Sequence, residues 1–173
     1  MNAAALGEWG RKVSVLLWPS ITLSQSGGGD DLAGIDGWDA GVPVQIKTDL
    51  GIKDRIFLEL FKRDGTWATF GPRRTTIWRK SPAPHGHTVY IFVGPGVAIR
   101  ATLDQMIRSL RECYHARSSL EFLRPNRAQE ETAAGFFVPI EALRKVNADV
   151  RAHDYAPSPA ADIVRFGESR GSP

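Results

Sequence analysis

The chain has 173 residues, a length that suits one domain with one core. A hydrophobic content of 42% and a charged content of 24% are ordinary for a globular protein, and a single cysteine, Cys113, excludes an intrachain disulfide and a thiolate zinc cluster. One unpaired cysteine suits a reducing, cytoplasmic setting. No signal peptide is visible, and the longest early apolar run, Val13 to Trp18, is far too short to cross a bilayer, so no membrane partner is expected.

The net charge of +3 is unevenly placed. Residues 1–46 hold two cations against five acids, whereas residues 53–80 hold eight cations against three acids. An acidic cluster beside a basic segment suits metal-assisted chemistry on a polyanion. A solvated surface of mixed sign has the same composition.

In chain order, residues 1–10 read as a short helix carrying Glu8 on its polar side. "RKVSVLLWPSITLS" mixes a β-like run with Pro19 and leads into a strand or an irregular segment. "SQSGGGDD" is a loop by composition. "AGIDGW" and "VPVQIKTD" read as the two strands of a hairpin. "RIFLELF" alternates with apolar residues on both faces, as in a strand covered on both sides. "GTWATFG" and "TTIWRK" are further sheet candidates, "SPAPHGH" is a loop, and "TVYIFVG" is a strand that ends in the turn "GPG".

From Thr102 to about Leu123 the period is helical, with Leu103, Met106, Ile107, Leu110 and Tyr114 near one stripe. Cys113 in that helix reads as an inert, partly buried thiol. "FFVPI" is a short strand and "EALRKV" a short helix. The order predicts an α/β (mixed α+β) fold with a central mixed β-sheet flanked by helices. A single domain is expected over 1–150. The segment 151–173, rich in Pro, Ser and Ala, reads as a flexible tail.

Strand alternation puts Val42, Val44 and Ile46 on one face of "VPVQIK" and Gln45 and Lys47 on the other. If the hairpin loop is Ala40-Gly41, Asp36 faces Gln45 across the pair. A four-residue loop from Asp39 to Val42 gives the same register. It is the expected one, because alanine is unfavourable where the shortest loop needs positive φ. Either way Asp36, Gln45 and Lys47 form one polar cluster on one face. Separately, Asp36 also suits a turn, and Gln45 and Lys47 suit the wet face of an edge strand.

"GID", nine residues and then "QIK" resembles the PD-(D/E)XK nuclease superfamily, the restriction-endonuclease-like proteins, over roughly residues 30–110. In that pattern an aspartate on one strand precedes (Glu/Asp/Gln)-X-Lys on the next. Asp36 matches the aspartate, Gln45 the position that is usually acidic, and Lys47 the lysine. The resemblance implies a mixed sheet flanked by helices and a metal-dependent DNA endonuclease of bacterial, phage or mobile-element type. It implies a site for Mg²⁺ or Mn²⁺ formed by Asp36, the Gln45 side-chain oxygen and the Ile46 carbonyl.

In that chemistry the cation polarises the phosphoryl group and acidifies a bound water, and Lys47 orients the water and offsets developing charge. Gln45 brings no negative charge, so a second carboxylate is needed. Glu8 is the first choice, since the family often adds a glutamate from its first helix, with Asp30, Asp31, Asp39 and Glu59 as rivals.

DNA contacts are expected from Lys53, Arg55, Arg73, Arg74, Arg79 and Lys80. Trp67, Phe70 and Trp78 interleave with some of these arginines and suit either base stacking or the core. His85 and His87 sit in a loop broken by Pro82, Pro84 and Gly86. The competing functions are a non-catalytic nucleic-acid-binding or assembly protein on a decayed nuclease fold, homodimeric or larger, and a toxin or protein-interaction domain.

Overall fold

The computed structural model describes residues 3–25, 35–62, 89–116, 133–157 and 163–165. Helix α1 spans Ala3–Leu17. It does not stop near residue 10 as the β-like run suggested. Trp9 and Val13 are fully buried on one stripe, with Leu6 and Leu17 packed beside them. That spacing of three to four residues is helical, and it outweighs the short alternation of Val13 and Val15. The end of the helix is set by Pro19, which restricts the residue before it.

The central sheet has six strands: β1 (Ile21–Leu23), β2 (Gly37–Asp39), β3 (Val42–Thr48), β5 (Val89–Gly94), β6 (Val97–Thr102) and β8 (Asp149–Ala152). They lie in the order β1-β2-β3-β5-β6-β8. Strand β3 runs antiparallel to β2 and parallel to β5, whereas the other junctions are antiparallel. The sheet is therefore mixed. All six residues of β5 are buried, which is why "VYIFVG" is a near-continuous apolar run.

Strand β4 (Arg55–Lys62) lies outside this sheet and pairs with β7 (Ala133–Pro139) as a separate ribbon. Helices α2 (Leu103–Ala116) and α3 (Ile140–Lys145) follow β6 and β7. A second ribbon joins β9 (Tyr155–Pro157) to β10 (Ile163–Arg165). Strands thus run past the boundary at 150 that composition suggested. Strand β6, unmarked in the sequence reading, follows the "GPG" turn with Ile99 and Ala101 buried on one side and Ala98 on the other.

Each face of the sheet has its own core. On one, α1 supplies Trp9 and Val13 against Val44, Val89, Ile91 and Val93. Gly10 permits this close approach, because a Cβ there would strike the Thr48 side chain. On the other, Tyr90, Phe92, Ile99 and Ala101 pack with Ile56 and Leu58 of β4, Met106 of α2 and Leu143 of α3. The end of α1 is tied to the sheet edge by the Trp18 indole, which donates to Asp149 Oδ2 at 2.7 Å. Arg151 hydrogen bonds chiefly, helped by this indole, hold the Asp149 carboxyl below its ordinary range against the opposing cost of burial.

The hairpin turn is the two-residue one. Asp39 pairs with Val42, and Ala40 and Gly41 have φ of 48° and 85°. The four-residue loop expected from alanine's reluctance is not formed, because Asp39 is held in the ladder. Its carboxylate accepts from Ser20 Oγ at 2.7 Å and pairs with Arg100. Alanine in this left-handed region is strained, and asparagine tolerates it better. Ala40→Asn should raise stability by about 0.5–1 kcal/mol in urea denaturation.

Candidate functional site

The tight turn fixes what β2 presents to β3. The last ladder pair is Gly37↔Val44, and Asp36 lies one residue beyond it, at the level of Gln45. There it is held three ways. Its N–H donates to the Val44 carbonyl at 2.9 Å, and its own carbonyl accepts from the Ser24 N–H at 3.0 Å. Its Oδ2 accepts from the Ile46 N–H at 2.8 Å. The aspartate thus caps the edge of β3 where β2 stops, and it does so at the residue between Gln45 and Lys47.

The second carboxylate oxygen faces α1. Asp36 Oδ1 is 3.5 Å from Arg11 Nη1, and Arg11 Nη2 donates to the Ser24 carbonyl at 2.5 Å. Arg11 Nε is 3.9 Å from Glu8 Oε2, three residues back on the same helix. Glu8 and Asp36, predicted to share a site, are brought to the same guanidinium. The Arg11 side chain is 14% exposed and that of Asp36 is 25% exposed, so this pair is partly withdrawn from solvent.

Gln45 and Lys47 point to the other face of the sheet. They alternate with Val44 and Ile46 and pair with Tyr90 and Phe92 of the parallel neighbour. The predicted register holds, but the Asp36 carboxylate turns to the strand edge and to Arg11 instead of joining Gln45 and Lys47 on their face. A local backbone donor accounts for this, since the Ile46 N–H takes one carboxylate oxygen. The Gln45 Oε1 atom is buried and has no hydrogen-bond partner among the described residues. Lys47 is half-buried and forms no ion pair with a described carboxylate.

The remaining candidates divide. Asp39 is 4% exposed and committed to Ser20 and Arg100, so it serves the fold. Lys53 is exposed in the turn before β4, and Arg55 lies with its guanidinium 4.3 Å from the centre of the Phe137 ring. Arg73, Arg74, Arg79, Lys80, Asp30, Asp31, Trp67, Phe70, Trp78, His85 and His87 lie outside the described residues, as does the Glu59 side chain. Arg11 was missed as a site residue. Its signal is the i, i+3 spacing from Glu8, which has meaning only if the helix continues past residue 10.

The donor set can be tested against a divalent cation. Gln45 fits, because a buried carbonyl oxygen without a donor is stabilised by a cation. Asp36 does not fit as it stands, since one oxygen holds the Ile46 N–H and the other holds Arg11. Among the described residues no three His, Cys, Asp or Glu side chains converge. A cation at Asp36 therefore has to displace the Arg11 guanidinium. No known protein family, curated protein or solved structure matches the chain.

This arrangement sets a measurable competition. Arg11→Met removes the guanidinium charge from beside the partly buried Asp36 carboxylate. In urea denaturation without divalent ions it should cost about 1–3 kcal/mol. Addition of Mn²⁺ should recover part of that loss if Asp36 accepts the cation. Full loss with no recovery would place any cation elsewhere.

Proposed function

We propose that this chain is a nuclease-like domain that hydrolyses phosphodiester bonds of DNA in the cytoplasm, with Mg²⁺ or Mn²⁺, around Asp36, Gln45 and Lys47. The observation that carries the reading is the 2.8 Å bond from the Ile46 N–H to Asp36 Oδ2. It fastens the acid to the strand segment bearing the glutamine and the lysine, and these are the three positions of the nuclease pattern. No helix among the described residues is long and apolar enough to cross a membrane.

Asp36, Gln45 Oε1 and the Ile46 carbonyl would be the donors to the cation, with Glu8 as the second acid, once Arg11 has left Asp36 and the Asp36 carboxylate has turned toward the face of Gln45. When bound, the cation would supply polarisation of the phosphoryl group and a more acidic water. The chain's own groups complete the chemistry. Lys47, without a carboxylate partner among the described residues, would offer its ammonium group to the phosphate oxygens as negative charge develops. Arg11, once it leaves Asp36, becomes a second cation near the same strand.

One observation favours a second reading. The Arg11 guanidinium already compensates Asp36 without a metal, and Gln45 adds no negative charge. That is the condition expected of a non-catalytic nucleic-acid-binding or assembly protein on the same architecture.

The two readings separate on Lys47 and Gln45. In the nuclease, Lys47→Ala should leave DNA binding within a few-fold and lower the cleavage rate by about 10²-fold or more. Gln45→Glu should tighten Mn²⁺ binding in calorimetry, and Glu8→Gln should weaken it. Cleavage is read on supercoiled, linear and branched DNA. If neither wild type nor Gln45→Glu cuts any form while both still bind, the protein is a binder.

A further inference from the structure

We infer that the groove between α2 and α3 is a contact surface for the phosphate backbone of DNA. This rests on the reading that the protein acts on DNA, and it adds a surface that the Asp36 centre does not use. The groove has a volume of ≈ 340 Å³ and is lined by Arg108, Arg111 and Glu112 of α2, and by Lys145 and Val146 at the end of α3. Its four charged residues are exposed, whereas Val146 is buried and forms the floor.

The cations here differ from the arginines elsewhere. Arg11, Arg100, Arg144 and Arg151 each lie against a carboxylate. Arg108, Arg111 and Lys145 form no ion pair among the described residues. Arg108 and Arg111 are three residues apart, so they share one helix face about 4.5 Å apart along the axis. Lys145 faces them from a different helix.

The spacing is set from beneath. Met106 and Cys113 on the inner side of α2 and Leu143 on α3 belong to one core. The three charges are therefore presented by a fixed scaffold, which lowers the ordering cost of binding.

The chemistry favours phosphates. Guanidinium groups match phosphate oxygens in a forked geometry, and an ammonium adds a point charge. A membrane surface is disfavoured, because binding there needs exposed apolar side chains beside the cations. Among the described residues the large exposed apolar side chains are Leu16 and Leu50, and neither lines the groove. Position also favours DNA. Helices α2 and α3 cover the sheet face that carries Gln45 and Lys47. Strand β8, beside α3, is three positions from β3 in the sheet, roughly 14 Å at the usual strand spacing. One duplex spans that distance.

The test is binding of a short fluorescent duplex, measured by anisotropy against salt, with chelator present so that nothing is cut. The triple variant Arg108→Ala, Arg111→Ala, Lys145→Ala should bind at least about tenfold more weakly at low salt. Its log–log salt slope should flatten by up to about 2.7, at roughly 0.9 per lost phosphate contact. Arg108→Lys with Arg111→Lys should keep most of the slope, and circular dichroism should show the variants folded.

If wild type binds and the triple variant matches it in affinity and slope, the groove is overturned while the nuclease reading stands. If wild type binds no duplex, both fall. Binding of wild type to phosphatidylserine vesicles, without binding to the duplex, would identify a lipid surface and overturn the groove as a DNA contact.

Discussion

Strand β3 has neighbours running in opposite directions, and the shorter of them stops at Gly37. Beyond that point the edge of β3 has backbone groups without a strand to pair with, and an unpaired buried N–H is costly. Asp36 answers this with its side chain, accepting from Ile46 at 2.8 Å, while its own backbone joins Val44 and Ser24. Much else follows from that closure. It fixes an acid at one level of the sheet, it ends β2, and it links β1 to β3 across the hairpin. It also leaves one carboxylate oxygen facing α1, where Arg11 stands.

A carboxylate so placed needs a cation. In water the two charges would gain little from each other, but at 14% and 25% side-chain exposure they are only weakly screened. A divalent ion and a guanidinium cannot occupy the same oxygen, so each excludes the other. Any affinity for Mg²⁺ measured on this protein is a net quantity, reduced by the work of moving Arg11. The neutral Gln45 belongs to the same balance. With Arg11 in place, another acid beside Asp36 would relieve no deficit. With Arg11 gone, its absence leaves the cation short of charge.

The parts of the fold that were legible in the sequence are those with one dominant period. Strand β5 is apolar throughout because it is covered on both sides, and α2 keeps a clean stripe because its outer face is fully polar. The register of β2 against β3 was legible too, since two of the three possible loops give it. The turn itself was not. Alanine's local preference argues against positive φ, but Ser20 and Arg100 hold Asp39 from outside the hairpin. The second half of α1 was obscured because its buried stripe coincides with β-branched residues, and with it went the role of Arg11. Strand β6 was hidden by Arg100, which interrupts its apolar run and looks solvent-facing in sequence yet reaches a buried aspartate. The direction of the Asp36 carboxylate lies beyond strand alternation, because a residue past the end of a ladder is steered by the nearest donor.

On the α1 side, Asp36 and Asp39 are each met by an arginine from another element, Arg11 and Arg100, and Asp149 is met by Arg151 of its own strand β8. The Arg11 pair ties α1 to the residue that precedes β2, the Arg100 pair ties β6 to β2, and the Trp18 indole ties the end of α1 to β8. On the opposite side Lys47, Arg108, Arg111 and Lys145 have no such partners among the described residues. The α2–α3 groove holds three cations without an ion-pair partner among the described residues against one lining acid, Glu112, a local excess of positive charge. An extended anion approaching the α2–α3 groove meets Arg108, Arg111 and Lys145 together with the single acid Glu112, and Lys47 lies on the same face of the sheet.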